Sequence, residues 1–291
     1  MARGLYRGFY VVCLLLFLPV AYACTVIDDD GHLIRLTTPA QRIVSLAPDI
    51  TEILFAIGAG HHVVGVISGS DYPSAAQQVL SVGSYQGLDL ERIISLRPDL
   101  VVAWGHTFSR QLAILKKQGI PIYRTQPRHL EDVPRTMQHL GCLAGTAVLA
   151  NQEATRFLRQ IAVLRQQYQG QKPITLFYQI GSYSLMTINK DSWINQVITL
   201  CGGRNVFANA KWVAPEVTWE AVVAANPQVI VSDATQADWK KRWMRWQGVA
   251  AVKQDLLFRL SPDLIDRAGP RLVEGATQLC YFLQQARLAN N

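Results

Sequence analysis

Leu88–Trp104 reads L-D-L-E-R-I-I-S-L-R-P-D-L-V-V-A-W, and Val217–Asp233 reads V-T-W-E-A-V-V-A-A-N-P-Q-V-I-V-S-D. Superimposed, Glu91 falls on Glu220, Pro98 on Pro227, and Leu100–Ala103 on Val229–Ser232. Each copy encodes a capped short helix, a proline turn and a β-branched strand. A fixed short period would signal an array. Two copies about half a chain apart, with a long helical stretch between them, predict two similar lobes instead. A cleft between lobes is a common place to hold a ligand.

The chain of 291 residues has room for two lobes, each with its own core. A hydrophobic share of 49% and a charged share of 17% are those of a globular protein. The formal charge of +7 is spread along the chain. Its one local cluster, Lys240–Arg245, is interleaved with Trp239, Trp243 and Trp246, which reads as a solvated helix face over buried tryptophans rather than a nucleic-acid surface.

Arg3 and Arg7 precede an apolar run, Val11–Val20, and then Ala21-Tyr22-Ala23 and Cys24. A positive start, a short apolar stretch and an A-x-A site make residues 1–23 a signal peptide. The run falls short of the roughly 20 apolar residues that span a bilayer. A lipid anchor at Cys24 is the competing reading, and Ala21 weighs against it, because a lipoprotein site normally carries Leu there. With Cys13 removed, Cys24, Cys142, Cys201 and Cys280 remain; an even number in an oxidising compartment predicts two disulfides. Spacing permits three pairings, and no C-x-x-C or His-Cys cluster supports zinc.

The mature chain opens with a hairpin over Cys24–Leu36 that turns at Asp30-Gly31. Strand Arg42–Leu46, helix Ile50–Ile57 and strand Val63–Val66 follow, and strand and helix then alternate to Leu143, the α/β pattern of a mostly parallel sheet. Thr146 is placed to cap a helix reaching about Gln169, with Leu149, Phe157, Ile161, Leu164 and Tyr168 near helical spacing. The alternation restarts at Ile174. The expected fold is therefore two Rossmann-like α/β lobes, residues 24–144 and 171–291, joined by one long interlobe helix at 145–170, with a ligand cleft between them. A helical connection predicts lobes held rigidly.

Asp89 with Glu91, and Thr218 with Glu220, have the composition of helix N-termini, where a cap and an acidic first turn satisfy free N–H groups. Repeated at both lobe tips, the two glutamates also form a symmetric pair suited to a basic partner. Tyr72, Tyr85 and Trp104 fall at strand ends or in the loops after them, where parallel sheets bind ligands. Asp263, Asp266 and Arg267 occupy the loop after the strand Leu257–Leu260, able to hydrogen-bond a polar ligand. His106, two residues beyond Trp104, is placed to reach the cleft. The sequence carries no G-x-S-x-G, Walker A or H-E-x-x-H motif, so no enzyme is expected.

Arg42–Gly60, R-I-V-S-L-A-P-D-I-T-E-I-L-F-A-I-G-A-G, resembles the opening strand and helix of the periplasmic substrate-binding proteins of ABC importers for large metal chelates, the class III type with a helical backbone. Ser70–Pro73, Tyr85–Ile93, Arg97–Trp104, Asn195–Gly203 and Asp266–Arg271 extend the resemblance over the mature chain, most closely to members that carry corrinoids. The resemblance implies a periplasmic binding protein, a monomer when free, that captures cobalamin (vitamin B12) or a related corrinoid. The cargo passes to a permease dimer with its ATPase subunits, and no resident cofactor or metal is expected. Haem or a ferric siderophore is the alternative cargo. The resemblance further implies Tyr72, Tyr85, Trp104, Met186, Asp263 and Arg267 as ligand contacts and Glu91 and Glu220 as permease-docking carboxylates. It implies Cys201–Cys280 as the second-lobe disulfide and, with it, Cys24–Cys142. Tyr85 and Met186 depart from the family's more aromatic choices. Ala214 stands where tryptophan is usual, with Trp212 two residues earlier.

Overall fold

The computed structural model describes residues 23–181, 185–236 and 238–290, so all but the last residue of the predicted signal peptide lies outside the described residues. The chain opens with an antiparallel hairpin of β1 (Cys24–Ile27) and β2 (Leu33–Leu36). Its turn is longer than the two-residue type expected at Asp30-Gly31. Asp28 folds its carboxylate back to accept the Asp30 and His32 amides at 3.1 and 2.7 Å, and Gly31 takes the left-handed φ of 81° that the turn demands.

The first lobe continues through β3 (Ile43–Ser45), α1 (Pro48–Ala56), β4 (Val63–Val66) and the short pair β5 (Gly83–Ser84) and β6 (Gly87–Leu88). Next come α2 (Leu90–Ser95), β7 (Leu100–Trp104), α3 (Ser109–Lys117), β8 (Ile122–Thr125) and α4 (Asp132–Leu143). Helix α5 (Ala147–Tyr168) leads to β9 (Ile174–Gln179), α6 (Trp193–Leu200), β10 (Gly203–Asn205) and α7 (Trp219–Ala225). The chain then runs through β11 (Val229–Ser232), α8 (Trp239–Trp243), α9 (Ala250–Lys253), β12 (Leu257–Arg259), α10 (Pro262–Ile265) and α11 (Leu272–Ala289).

The strands form two parallel sheets, ordered β4-β3-β7-β8 and β10-β9-β11-β12. In both, the lobe's first strand lies between its second and its third, so the repeat seen in sequence is a repeat of topology. It extends to the backbone: Arg97 and Asn226, each just before the repeat's proline, take φ of 47° and 41°. A left-handed residue closes the helix, and a proline without an N–H cannot reopen it. Strands covered by helices on both faces need continuous apolar runs, and Leu100–Ala103 and Val229–Val231 are fully buried.

Helix α5 packs on α4 in one lobe and on α6 and α11 in the other. Its buried residues Ala150, Ala154, Phe157, Ile161 and Leu164 keep three- and four-residue spacing, one face of a helix. Gly141 lets α4 approach closely, since a Cβ there would lie 2.2 Å from that of Ala150. The main apolar cluster runs from the first lobe past α5 into the second without interruption, so a wide hinge would expose core. Thr146 occupies the cap position of α5 but makes no capping hydrogen bond, and its Oγ1 is buried without a partner. The cap that the position and chemistry of Thr146 predict is therefore not made.

Cys24 bonds to Cys142, tying β1 to α4, and Cys201 bonds to Cys280, tying the end of α6 to α11. A lipid thioether on the Cys24 sulfur is incompatible with the first bond. Closing loops across separations of 118 and 79 residues removes about 4–5 kcal/mol of unfolded-chain entropy per bond. The pair Cys201→Ala and Cys280→Ala is expected to lower the thermal midpoint by about 8–20 °C. An unchanged midpoint would show that this bond does not constrain the chain.

Candidate functional site

In open parallel sheets, ligands bind outside the carboxyl ends of the strands where strand order reverses. Here that point lies between β3 and β7 in one lobe and β9 and β11 in the other. A cleft of about 580 Å³ lies there, lined from the first lobe by Pro48, Asp49, Ser68, Gly69, Tyr85, Trp104 and Thr107. Trp193, Pro262, Asp263, Asp266 and Arg267 line it from the second. The volume is that of a small-molecule site.

The first-lobe wall begins where β3 ends. Pro48 starts α1, its fixed φ suited to a first helical turn, and Asp49 follows at the helix's positive end. Burial pushes the Asp49 carboxyl up to about 6, against the lowering effect of the Ile50 and Asp49 amides. Trp104 is the last residue of β7. Tyr85 protrudes from the turn between β5 and β6 and stacks on Phe108, with ring centres 6.5 Å apart and planes at 17°. Across the cleft, the Trp193 indole donates to the Ile265 carbonyl at 2.9 Å, fixing its ring. Asp263, expected on a loop, lies in the short helix α10, which Pro262 opens.

Ion pairs join the two lobes beside this cleft. Glu52, one turn beyond Asp49 and almost wholly buried, accepts Arg267 Nη1 at 2.9 Å and Arg271 Nε and Nη2 at 2.9 and 2.6 Å. Arg267 also donates to Asp71 at 2.8 Å, Asp263 at 2.7 Å and the Gly69 carbonyl at 3.3 Å. Burial works against the Arg267 charge; hydrogen bonds to Asp71 and Glu52 overcome it and raise its pKa. The Arg271 guanidinium lies 4.0 Å from the centre of the Tyr72 ring, a cation–π contact. On another face, Gln196 Oε1 of the second lobe accepts the Leu130 amide at 2.9 Å.

Behind the second wall, Tyr178 donates its hydroxyl to Asp266 at 2.9 Å, the Gly181 amide donates to Asp233, and the two aspartates hydrogen-bond each other. Burial, then the Asp233 charge, raises the Asp266 carboxyl far above its ordinary range; burial raises Asp233 too. Two buried carboxyls in contact retain one proton between them at neutral pH.

Of the residues singled out in sequence, Tyr85, Trp104, Asp263 and Arg267 line one cleft. Tyr72 lies beside it on Arg271. Met186 makes bridges to Ile180 and Glu216 and is not among the described residues lining the cleft. Trp212 is 66% exposed beneath Lys211. His106 does not reach the cleft: its ring lies 4.0 Å from Asp30 on the hairpin side, with the side chain 74% exposed. Glu91 and Glu220 are exposed in the first turns of α2 and α7. Trp239 and Trp243 are buried in the second lobe, and Trp246 stacks on Trp219. Glu52, Asp71, Arg271 and Trp193 belong to the site or its border without standing out in the sequence. The spacing D-I-T-E, which sets Asp49 and Glu52 three apart on one helical face, and the second arginine of D-R-A-G-P-R were the available signals.

Residues 43–264 match the periplasmic binding protein family. The chain is 33% identical over 267 residues to a vitamin B12-binding protein of Vibrio cholerae serotype O1, covering 91% of this chain and 97% of that one. It is 36% identical over 249 residues to a vitamin B12-binding protein of Yersinia pestis, covering 84% and 88%. The crystal structure of a periplasmic vitamin B12-binding protein of Vibrio cholerae superimposes with a TM-score of 0.79 at 34% identity, covering 86% of this chain and 98% of that one.

Proposed function

The chain belongs to the periplasmic binding protein family, and from that premise we propose that it is the cobalamin-binding component of an ABC importer. It binds and releases its cargo without chemistry. The observation that carries this reading is the interlobe cleft, lined by aromatic residues from both lobes, Tyr85 and Trp104 from one and Trp193 from the other, together with polar side chains. Flat rings pack against apolar faces at little entropic cost, and hydroxyl, carboxylate and guanidinium groups fix the amides around the edge. Tyr72, Tyr85, Trp104, Met186, Asp263 and Arg267 are the contacts proposed.

The protein works as a monomer, is exported on residues 1–23, and delivers its cargo to a permease dimer with ATPase subunits. Glu91 and Glu220 meet that partner. With one core running through both lobes, closure is small, and release requires the transporter to spread the lobes.

Calorimetric titration of the oxidised mature protein with cyanocobalamin and with hemin tests the ligand. Tight one-to-one binding of cyanocobalamin alone is expected. Heat with hemin alone would reassign the cargo to haem, with Tyr72 or Tyr85 as the iron ligand. Silence with both would remove the corrinoid reading.

A further inference from the structure

Building on the corrinoid reading, we propose that Asp49 and Asp263 act as a charge filter that admits corrinoids whose periphery carries amides and rejects those carrying carboxylates there. The charges that face the cleft point to it. Asp49 on one wall and Asp263 on the other line the space directly, with Asp71 and Glu52 close behind. The Asp233–Asp266 pair, which shares a proton, adds a further negative charge at the second wall, which Asp266 itself lines.

The opposing charge is committed elsewhere. Arg267 is the one cationic residue among the described lining residues, and its guanidinium already donates to Glu52, Asp71, Asp263 and the Gly69 carbonyl. Arg271 is held by Glu52 and covered by the Tyr72 ring. Asp263 is compensated by Arg267, but among the described residues Asp49 has no cation hydrogen-bonded to it, and a ligand anion entering here finds no free guanidinium to pair with.

A primary amide suits such walls. Its N–H groups donate to carboxylates, its carbonyl accepts, and it brings no charge into a partly dry site. A carboxylate of the same shape only accepts, so against Asp49 it loses the hydrogen bond and gains repulsion. Like charges brought together are an effective means of rejecting a wrong partner. A site built around hydrogen bonds to one group discriminates strongly against an analogue that cannot make them. Asp49 is the sharper member of the pair: it is buried, it accepts from the amides of its own helical turn, and the opposing charge of Arg267 acts on it less than those amides do.

The probes are cyanocobalamin and its b-, d- and e-monocarboxylic acids, in which a single propionamide is replaced by the acid. Affinities are measured at pH 7.5, where Asp49 is charged. At least one acid isomer is expected to bind tenfold or more weakly than cyanocobalamin, by about the factor that one uncompensated like-charge contact gives. That ratio is expected to shrink to threefold or less in Asp49→Asn or Asp263→Asn. The wild-type comparison needs no variant, so a poorly folded mutant leaves the test intact. Equal binding of all three acids, with cyanocobalamin bound tightly, would overturn the filter alone. Failure to bind any corrinoid would overturn the cargo assignment and the filter with it.

Discussion

Reversing both lobe-tip carboxylates, as Glu91→Lys with Glu220→Lys, is expected to abolish cobalamin uptake while leaving the affinity for cobalamin unchanged. In the structure the helix-start role of these glutamates is separable from the docking role proposed for them. Helix capping is done by their neighbours: Asp89 accepts the Arg92 amide at 2.9 Å, and Thr218 Oγ1 accepts the Ala221 amide at 3.2 Å. What Glu91 and Glu220 add to stability is a dipole term of about 0.3–1 kcal/mol at an exposed helix start. Reversal therefore costs little folding energy, and both side chains lie on the surface rather than in the cleft.

At a charged interface the effect is far larger. Losing one favourable contact and creating a repulsion at each lobe tip, at about 1.4 kcal/mol or more per site, weakens docking at least about a hundredfold. The repeat makes the two sites equivalent, so each single reversal should give a partial defect and the double one a complete defect. Uptake of labelled cobalamin in cells carrying only the variant, beside calorimetry on the same protein, measures both quantities. Normal uptake would eliminate docking through these residues. Lost affinity would mean that they act on the cleft instead.

What could be read from sequence, and what could not, divides along a physical line. The repeat at Leu88 and Val217, the apolar strand runs and the spacing of Phe157, Ile161 and Leu164 are local patterns, and each fixed an element that the structure contains. The aromatic and polar positions Tyr85, Trp104, Asp263 and Arg267 were legible because parallel sheets place strand ends at one rim. The partners of Glu52 were not: Arg267 and Arg271 lie more than two hundred positions away, and nothing in a single sequence couples such distant charges. His106 shows the converse. Two residues beyond Trp104 the chain has already turned, and the imidazole lies exposed beside Asp30 of the hairpin, a neighbour remote in sequence. Thr146 has the right chemistry and position for a cap, but its side chain faces the interior without an amide to meet.

The Glu52 carboxylate yields the second large effect. Glu52→Ala is expected to destabilise the protein by about 3–5 kcal/mol, the cost of breaking a buried ion pair by removing one partner. For a chain of this size that is a fall of about 6–20 °C in thermal midpoint. The Glu52 side chain is 1% exposed, and those of Arg267 and Arg271 are 15% and 16% exposed, so water cannot replace what is lost. The figure is chiefly the cost of leaving Arg271 without its carboxylate, since Arg267 keeps Asp71 and Asp263, and not the net worth of the ion pairs, because desolvation offsets much of a buried attraction. Glu52→Gln keeps the shape and one acceptor, and is expected to lose less, about 1.5–3 kcal/mol for a charged hydrogen bond.

The functional consequence follows from where the three residues lie. Glu52 is on α1 of the first lobe, and both arginines follow α10 of the second. The link spans the lobes beside the cleft, whereas α5 and the shared core hold them elsewhere. Severing it frees the cleft edge without detaching the lobes, so cobalamin should leave faster while its association rate stays nearly constant. Stopped-flow dissociation and a thermal melt on one preparation measure both effects. A Glu52→Ala protein within 1 kcal/mol of wild type would show that the arginines find other partners in solution. The lobes would then be held at the cleft by the core and α5 alone.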